Sequence, residues 1–190
     1  MAESSSLGTA LRVRVNRSSV RDFFDRCRRR YSAELVTEPI TFNYGYEYEV
    51  DELLIKHVRD GHGHHIRQWV AGIYERQTRK CLYYRINDRS TPSLIPPIVE
   101  RIPQGSFVYS DDWRPYRQLP HHNFYHFHVN HSGNEYVRVE HVGPVDLVVH
   151  INTLEGLNNM VRGKLRNRSR RTLARLDLAL DEIAYRHSGR

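Results

Sequence analysis

Hydrophobic and polar residues follow two periods along this chain. Over residues 46–55 the letters Y-E-Y-E-V-D-E-L-L-I are rich in β-formers, follow Gly45 and predict a strand. Two more strands are expected at 68–75 and 80–87, joined as a hairpin by the turn E-R-Q-T-R-K, while 57–66, with its G-H-G-H-H, reads as a loop. Helical spacing starts at Thr91, with Pro92 at the first helical position and Ile95, Ile98 and Val99 behind it. Gly105 leads into a strand at 106–110, a short helix follows Asp112, and 124–130 alternates as a strand. Asn152 opens a helix to about Arg166 with Leu154, Leu157, Val161 and Leu165 as its apolar stripe, and Thr172 opens a last helix to about His187. Ahead of these elements, residues 1–11 read as a disordered tail. Residues 12–43 read as a basic arm lying outside the main domain. Its helix is capped by Ser18 or Ser19, runs through Val20, Phe23, Phe24 and Cys27, and stops by Glu38-Pro39.

Three strands, a helix, a strand, a helix, a strand and then helices is the element order of an α/β, ribonuclease-H-like fold. That fold has a mixed sheet, a three-strand antiparallel meander plus parallel strands, flanked by helices, here over 44–190. Charge adds a partner class. The formal net charge of +7 and pI near 9.6 favour a polyanion. The basic residues are almost all arginine, with Lys56, Lys80 and Lys164 the only lysines. Arginine forks suit phosphate, although an arginine-favouring, GC-rich coding sequence explains the same bias equally well. Cys27 and Cys81 make neither a disulfide scaffold nor a zinc knuckle. With no signal-peptide core and no apolar run of membrane length, the expectation is a soluble protein inside the cell, in the nucleus of a eukaryote or the cytoplasm of a bacterium. R-C-R-R-R at 26–30 fits nuclear import and DNA binding equally well.

Three carboxylates carry the candidate chemistry. Asp51 lies inside an otherwise apolar strand, where a charge is costly unless paired or metal-bound. Its plainer reading is an exposed strand position sharing a face with Glu47 and Glu49. Asp111 and Asp112 end the fourth strand, at the carboxyl edge where α/β sheets gather ligands, and one of them is expected to cap the next helix. Glu155 sits in the first turn of its helix, a common place for an acid facing the helix dipole. With Asn158, Asn159 and Arg162 it forms a polar face apart from the apolar stripe, Arg162 lying two turns, about 10 Å, further along. Three converging carboxylates in a basic protein point to divalent ions acting on phosphodiesters.

These settings resemble the DDE transposases of the Merlin superfamily and the related bacterial insertion sequences with an ISXO-like transposase domain. The resemblance is carried by V-D-E at 50–52, W-V-A-G-I-Y-E-R at 69–76, D-R-S at 88–90 with L-I-P-P-I at 94–98, and Y-S-D-D-W-R-P-Y at 109–116. It continues through H-x-V-N-H-S at 128–132, where this chain has H-V-N-H-S, then H-I-N-T-L-E at 150–155 and L-D-E-I-A-Y-R at 180–186. It implies Asp51, Asp111 and Glu155 as catalytic residues and ligands of two Mg²⁺ or Mn²⁺ ions, with DNA strand cleavage and strand transfer as the activity. It also implies double-stranded DNA, both element ends and target, as partner, and a homo-oligomer on that DNA. Arg162, Lys164, Arg166, Arg168, Arg170 and Arg171 are the expected phosphate contacts, in a stretch from Arg162 to Arg175 that no acid interrupts. Asp112, Trp113, Tyr116, Asn130, His131 and Asn152 are expected to support the site, Trp113 and Tyr116 more as core than as base-stacking residues.

The chain departs from the family pattern in four places. Asn158 stands where the family has tryptophan, Arg162 replaces a lysine, and the stretch between Ser132 and His150 is longer and less similar. The arm at 12–43 is expected to be the remnant of a DNA-recognition region. A truncated or domesticated derivative that binds DNA without catalysis is therefore the alternative, and a ribonuclease-H-like nuclease without strand transfer a third. The histidines at 62, 64 and 65 and at 121, 122, 126, 128 and 131 offer zinc a partial site at most.

Overall fold

The structure is a computed structural model that describes residues 15–166 and 172–188, without the side chains of His57, Ser132 and Arg166. The expected tail at 1–11 lies outside these residues, as do Arg168, Arg170 and Arg171. Its elements are helix α1 (Arg17–Thr37), strands β1 (Glu47–Arg59), β2 (His65–Glu75) and β3 (Cys81–Ile86), helix α2 (Thr91–Arg101) and strand β4 (Phe107–Asp111). A 3₁₀ segment (Arg114–His122), strand β5 (Tyr125–Val129), strands β6 (Arg138–Val142) and β7 (Val145–Val149), and helices α3 (Asn152–Arg166) and α4 (Leu173–His187) follow. None of the described helices is long and apolar enough to cross a membrane.

The main sheet has the order β3-β2-β1-β4-β5. The first three strands pair antiparallel, and β1–β4 and β4–β5 pair parallel, giving the mixed sheet expected from the element order. Strand alternation divides the core in two. Tyr48, Val50, Ala71 and Ile73 face α2 and the 3₁₀ segment, packing on Leu94, Ile98, Tyr116 and Leu119. Leu53, Ile55, Val70 and Tyr83 face α3 and α4, packing on Leu154, Val161, Leu165 and Leu180. The apolar stripe of α3 is thus its buried face, with Leu154 and Val161 fully buried.

Gly72 lies opposite Asp51 in the β1–β2 register. A Cβ there would stand 2.8 Å from the Tyr83 ring and 3.1 Å from Leu154 Cδ1, so the bare backbone is what lets α3 and Tyr83 close over β2.

The elements depart from the sequence reading in three places. β1 and β2 run on to Arg59 and from His65, so the loop expected over 57–66 shrinks to a turn in which Asp60 accepts the backbone N–H groups of His62 and His64. α1 starts earlier than expected, with Asn16 and not Ser18 or Ser19 as its cap, and ends at Thr37, where Glu38-Pro39 predicts its stop. Nor does it stand apart. It lies along α4, where Arg28 Nε reaches Glu182 Oε2 at 2.7 Å, Ser32 donates to Asp181, and Tyr31 stacks on Tyr185 at 4.5 Å. The third difference is the β6–β7 hairpin, in the stretch between Ser132 and His150 where the sequence reading assigns no element. Its signal is alternation on both sides of Gly143-Pro144, with Gly143 at φ +60°.

Gly72→Ala is expected to destabilise the domain by about 1–3 kcal/mol through overpacking against Tyr83. A denaturant midpoint unchanged from the natural protein would contradict this packing.

Candidate active site

The parallel pairing of β1 with β4 carries Asp51 and Asp111 to the same end of the sheet. Carboxylate oxygens of Asp51, Glu52 and Asp111 all lie within 4.8 Å of one another, the only such acid, histidine or cysteine group among the described residues. They open into a cleft of about 410 Å³ that Glu155, Arg89 and Arg162 also line. Two of the three expected acids are therefore in close contact. Glu155 faces the same cleft but stands outside the tight group, where Glu52 takes the third place.

Each acid is held by a different element. Asp51 Oδ2 accepts from Asn158 Nδ2 at 2.7 Å, and Asn158 Oδ1 accepts from the Tyr83 hydroxyl at 3.0 Å. Asn158 is fully buried, so it does not belong to the open polar face expected of it; it links α3 to the first acid. Burial, then the neighbouring Glu52 and Asp111 charges, push the Asp51 carboxyl up to about 7. Asp111 Oδ1 accepts the backbone N–H of Trp113 at 3.1 Å, and burial raises its pKa. Glu52 is raised by burial too, against the pull of Tyr116, whose hydroxyl donates to Oε2 at 2.5 Å, and of Arg89 on Oε1.

Glu155 is positioned by a residue outside the expected set. Glu49 is fully buried in β1, and its Oε2 accepts the Leu154 N–H at 2.8 Å, capping α3 one residue before Glu155. Its Oε1 takes Arg76 Nε at 3.0 Å. Arg76 also bonds the carbonyls of Val148 and His150 at 2.9 and 2.6 Å, fixing the chain that enters the helix. Glu49 and Asp51 share a strand face, so the alternation offered as Asp51's plainer reading holds a buried cap and not a row of solvated acids.

The expected supporting residues separate into several roles. His131 Nδ1 lies 3.2 Å from Glu155 Oε1, and Asn130 shapes its turn by accepting the Gly133 N–H at 3.1 Å. Asp112 turns away from the acids to Arg117, 2.8 Å away, which chiefly lowers its pKa. Tyr116 is a core residue, and Trp113 is 38% exposed at the cleft rim beside Arg89. Asn152 is exposed at the start of α3, where Glu49 supplies the cap. Arg162 lines the cleft with NH1 on Asn159 at 3.0 Å; Lys164, two residues on, is half-buried on another face of the helix, and Arg166 closes the helix. The His126 and His128 rings stand 5.9 Å apart, but no histidine joins an acid or cysteine group of ligand spacing among the described residues.

A mixed 3-2-1-4-5 sheet with acids from its two central strands and from the helix across it is the frame on which the family comparison decides. The profile of the ISXO2-like transposase domain matches residues 46–188. The chain belongs to the ISXO2-like transposase domain family. The match spans the sheet and both helices that cover the candidate site, and begins after α1. None of the curated proteins compared with the chain matches it. Membership places this transposase domain among nucleases and transferases that act on DNA and generally use divalent metal ions.

The Asp51 environment gives a signed expectation. A carboxyl raised to about 7 in the fold stabilises the folded state only while protonated, so metal-free stability falls as pH rises from the ordinary carboxylate range through about 7. Asp51→Asn is isosteric and cannot ionise. In chelator near pH 8 it is expected to be more stable than the natural protein by on the order of 2 kcal/mol, the gap closing in acid. Parallel stability-versus-pH curves for the two proteins would sink this assignment.

Proposed function

We propose that the domain cleaves DNA strands and joins them to target DNA, with Asp51, Asp111 and Glu155 as its catalytic acids. The observation that supports this most is the clustering of Asp51 and Asp111 at one end of the sheet, in a cleft that Glu155 shares. The donor set fits Mg²⁺ or Mn²⁺: it is all oxygen and half-buried, and burial, then the neighbouring Glu52 and Asp111 charges, raises Asp51 to about 7, a cost that a cation offsets. Asp51, Asp111 and Glu155 would hold two such ions, and bound there the ions supply Lewis acidity to the attacking hydroxyl and the departing oxygen.

The chain's own residues do the rest. Asn158 orients Asp51, the Trp113 backbone orients Asp111, and His131 Nδ1 stands beside Glu155 at 3.2 Å. Arg162, which lines the cleft, takes phosphate along the helix face that follows Glu155, and Lys164, Arg166, Arg168, Arg170 and Arg171 are the further phosphate contacts that the sequence offers. Element ends and target are the duplexes that such a reaction joins, and a homo-oligomer on that DNA is the expected assembly.

A second reading, DNA binding without catalysis, draws on one observation: Glu155 stands outside the 4.8 Å group. An end-labelled duplex incubated with the protein and Mn²⁺ separates the two. Strand scission that falls to background in Asp111→Asn is the expected result. Retention of the duplex without scission by the natural protein would favour the binding-only reading.

A further inference from the structure

Arg89 enters the cleft from the segment between β3 and α2, next to the acids but outside the expected phosphate-binding set. Its guanidinium carbon lies 4.1 Å from the Trp113 ring centroid and 5.2 Å from that of Trp69, the chain's only two tryptophans. Along its edge, Nε and NH2 both meet Glu52 Oε1, and NH2 stands 3.7 Å from Asp111 Oδ2. The backbone is fixed as well, because the Trp113 indole N–H donates to the Arg89 carbonyl at 2.9 Å. Few arginine side chains on a surface are constrained on a face, an edge and the main chain at once, since the entropy of a long side chain opposes it. Yet this side chain keeps 29% exposure and lines the cleft.

Glu52 explains the arrangement. One of its oxygens is engaged by Arg89 and the other by the buried Tyr116 hydroxyl. It contributes to the site by anchoring a cation whose planar fork matches a phosphate.

We propose that Arg89 grips a DNA phosphate at the carboxylate centre and that Glu52 is the residue that positions it. This rests on the DNA-processing reading above. Arg89 holds the phosphodiester against the repulsion of the acids, and the two flanking tryptophans keep the guanidinium from swinging into solvent.

The two tryptophans make the site self-reporting. The test is a titration of the full chain with a labelled 20-base-pair duplex in Ca²⁺, followed by anisotropy and by tryptophan emission, across a series of salt concentrations. In the natural protein the duplex is expected to change the emission. Arg89→Gln is expected to bind about tenfold more weakly, with the slope of log affinity against log salt reduced by about 0.9, one phosphate contact. Arg89→Lys should restore the slope and only part of the affinity. Glu52→Gln keeps the cation but loosens it, so affinity should fall with the slope unchanged.

An Arg89→Gln protein that melts cooperatively and binds with natural affinity and slope would overturn the proposal and leave Arg89 a counter-ion of the acids. If Arg89→Gln does not fold, Arg89→Lys decides: equal affinity for the duplex would overturn the fork requirement. Thermal melts with Mn²⁺ separate the two levels. Mn²⁺ stabilisation with duplex binding indifferent to Arg89 defeats this proposal alone, whereas neither Mn²⁺ stabilisation nor duplex binding in the natural protein defeats the DNA-processing reading with it.

Discussion

The site depends on one buried carboxylate that lies outside the acid cluster. Glu49 has no exposure to water, and a lone charge so placed would be prohibitive. Its two oxygens divide the task of compensating it, one taking Arg76 and the other the N-terminus of α3. The same bonds that satisfy Glu49 therefore dock the helix onto β1 at a fixed height and rotation. Leu154 and Asn158 turn to the sheet, Glu155 turns to the cleft, and Arg162 follows two turns later. Arg76 extends the lock by holding the carbonyls of Val148 and His150, so the β6–β7 hairpin ends where the helix begins.

Against this rigid frame the acids are held in an unfavourable relation. Asp51, Glu52 and Asp111 are closer than their charges would choose, and burial removes the water that would screen them. Arg89 offsets part of that repulsion through Glu52, and Asn158 offers Asp51 a neutral donor that carries no charge of its own. The remaining electrostatic cost is the physical reason that a divalent cation fits the site, and it is where fold stability and function meet.

Much of the fold was legible because α3 and α4 carry strong stripes and sharp starts, and because β4 and β5 alternate cleanly between turn residues. Strand position made Asp51 and Asp111 candidates, but the pattern also allowed an exposed strand acid and a helix cap, and the family resemblance selected between these readings. What the letters did not disclose was partnership across long separations. Nothing local in Tyr-Glu-Val-Asp-Glu distinguishes Glu49, a buried cap, from Asp51, a cleft acid, or from Glu52, an anchor for an arginine 37 residues away. Asn158 read as part of a polar face because helical spacing reports direction but not which neighbour, here Tyr83, comes to meet it. The hairpin at 138–149 was hidden by its short strands, although Gly143-Pro144 marks its turn, and α1 was read as a separate arm because its basic residues conceal the Arg28–Glu182 pair that docks it.

In the proposed function Asp51 and Asp111 form one cation site, with their carboxylates held close by the fold. Thermal melts with rising Mn²⁺, for the natural protein, Asp51→Asn and Asp111→Asn, test it most directly. The natural protein is expected to gain about 2.7 kcal/mol at a hundred times the dissociation constant, and both variants to lose most of that gain. A natural protein indifferent to Mn²⁺, or variants stabilised as much as it is, would show that Asp51 and Asp111 do not form a cation site.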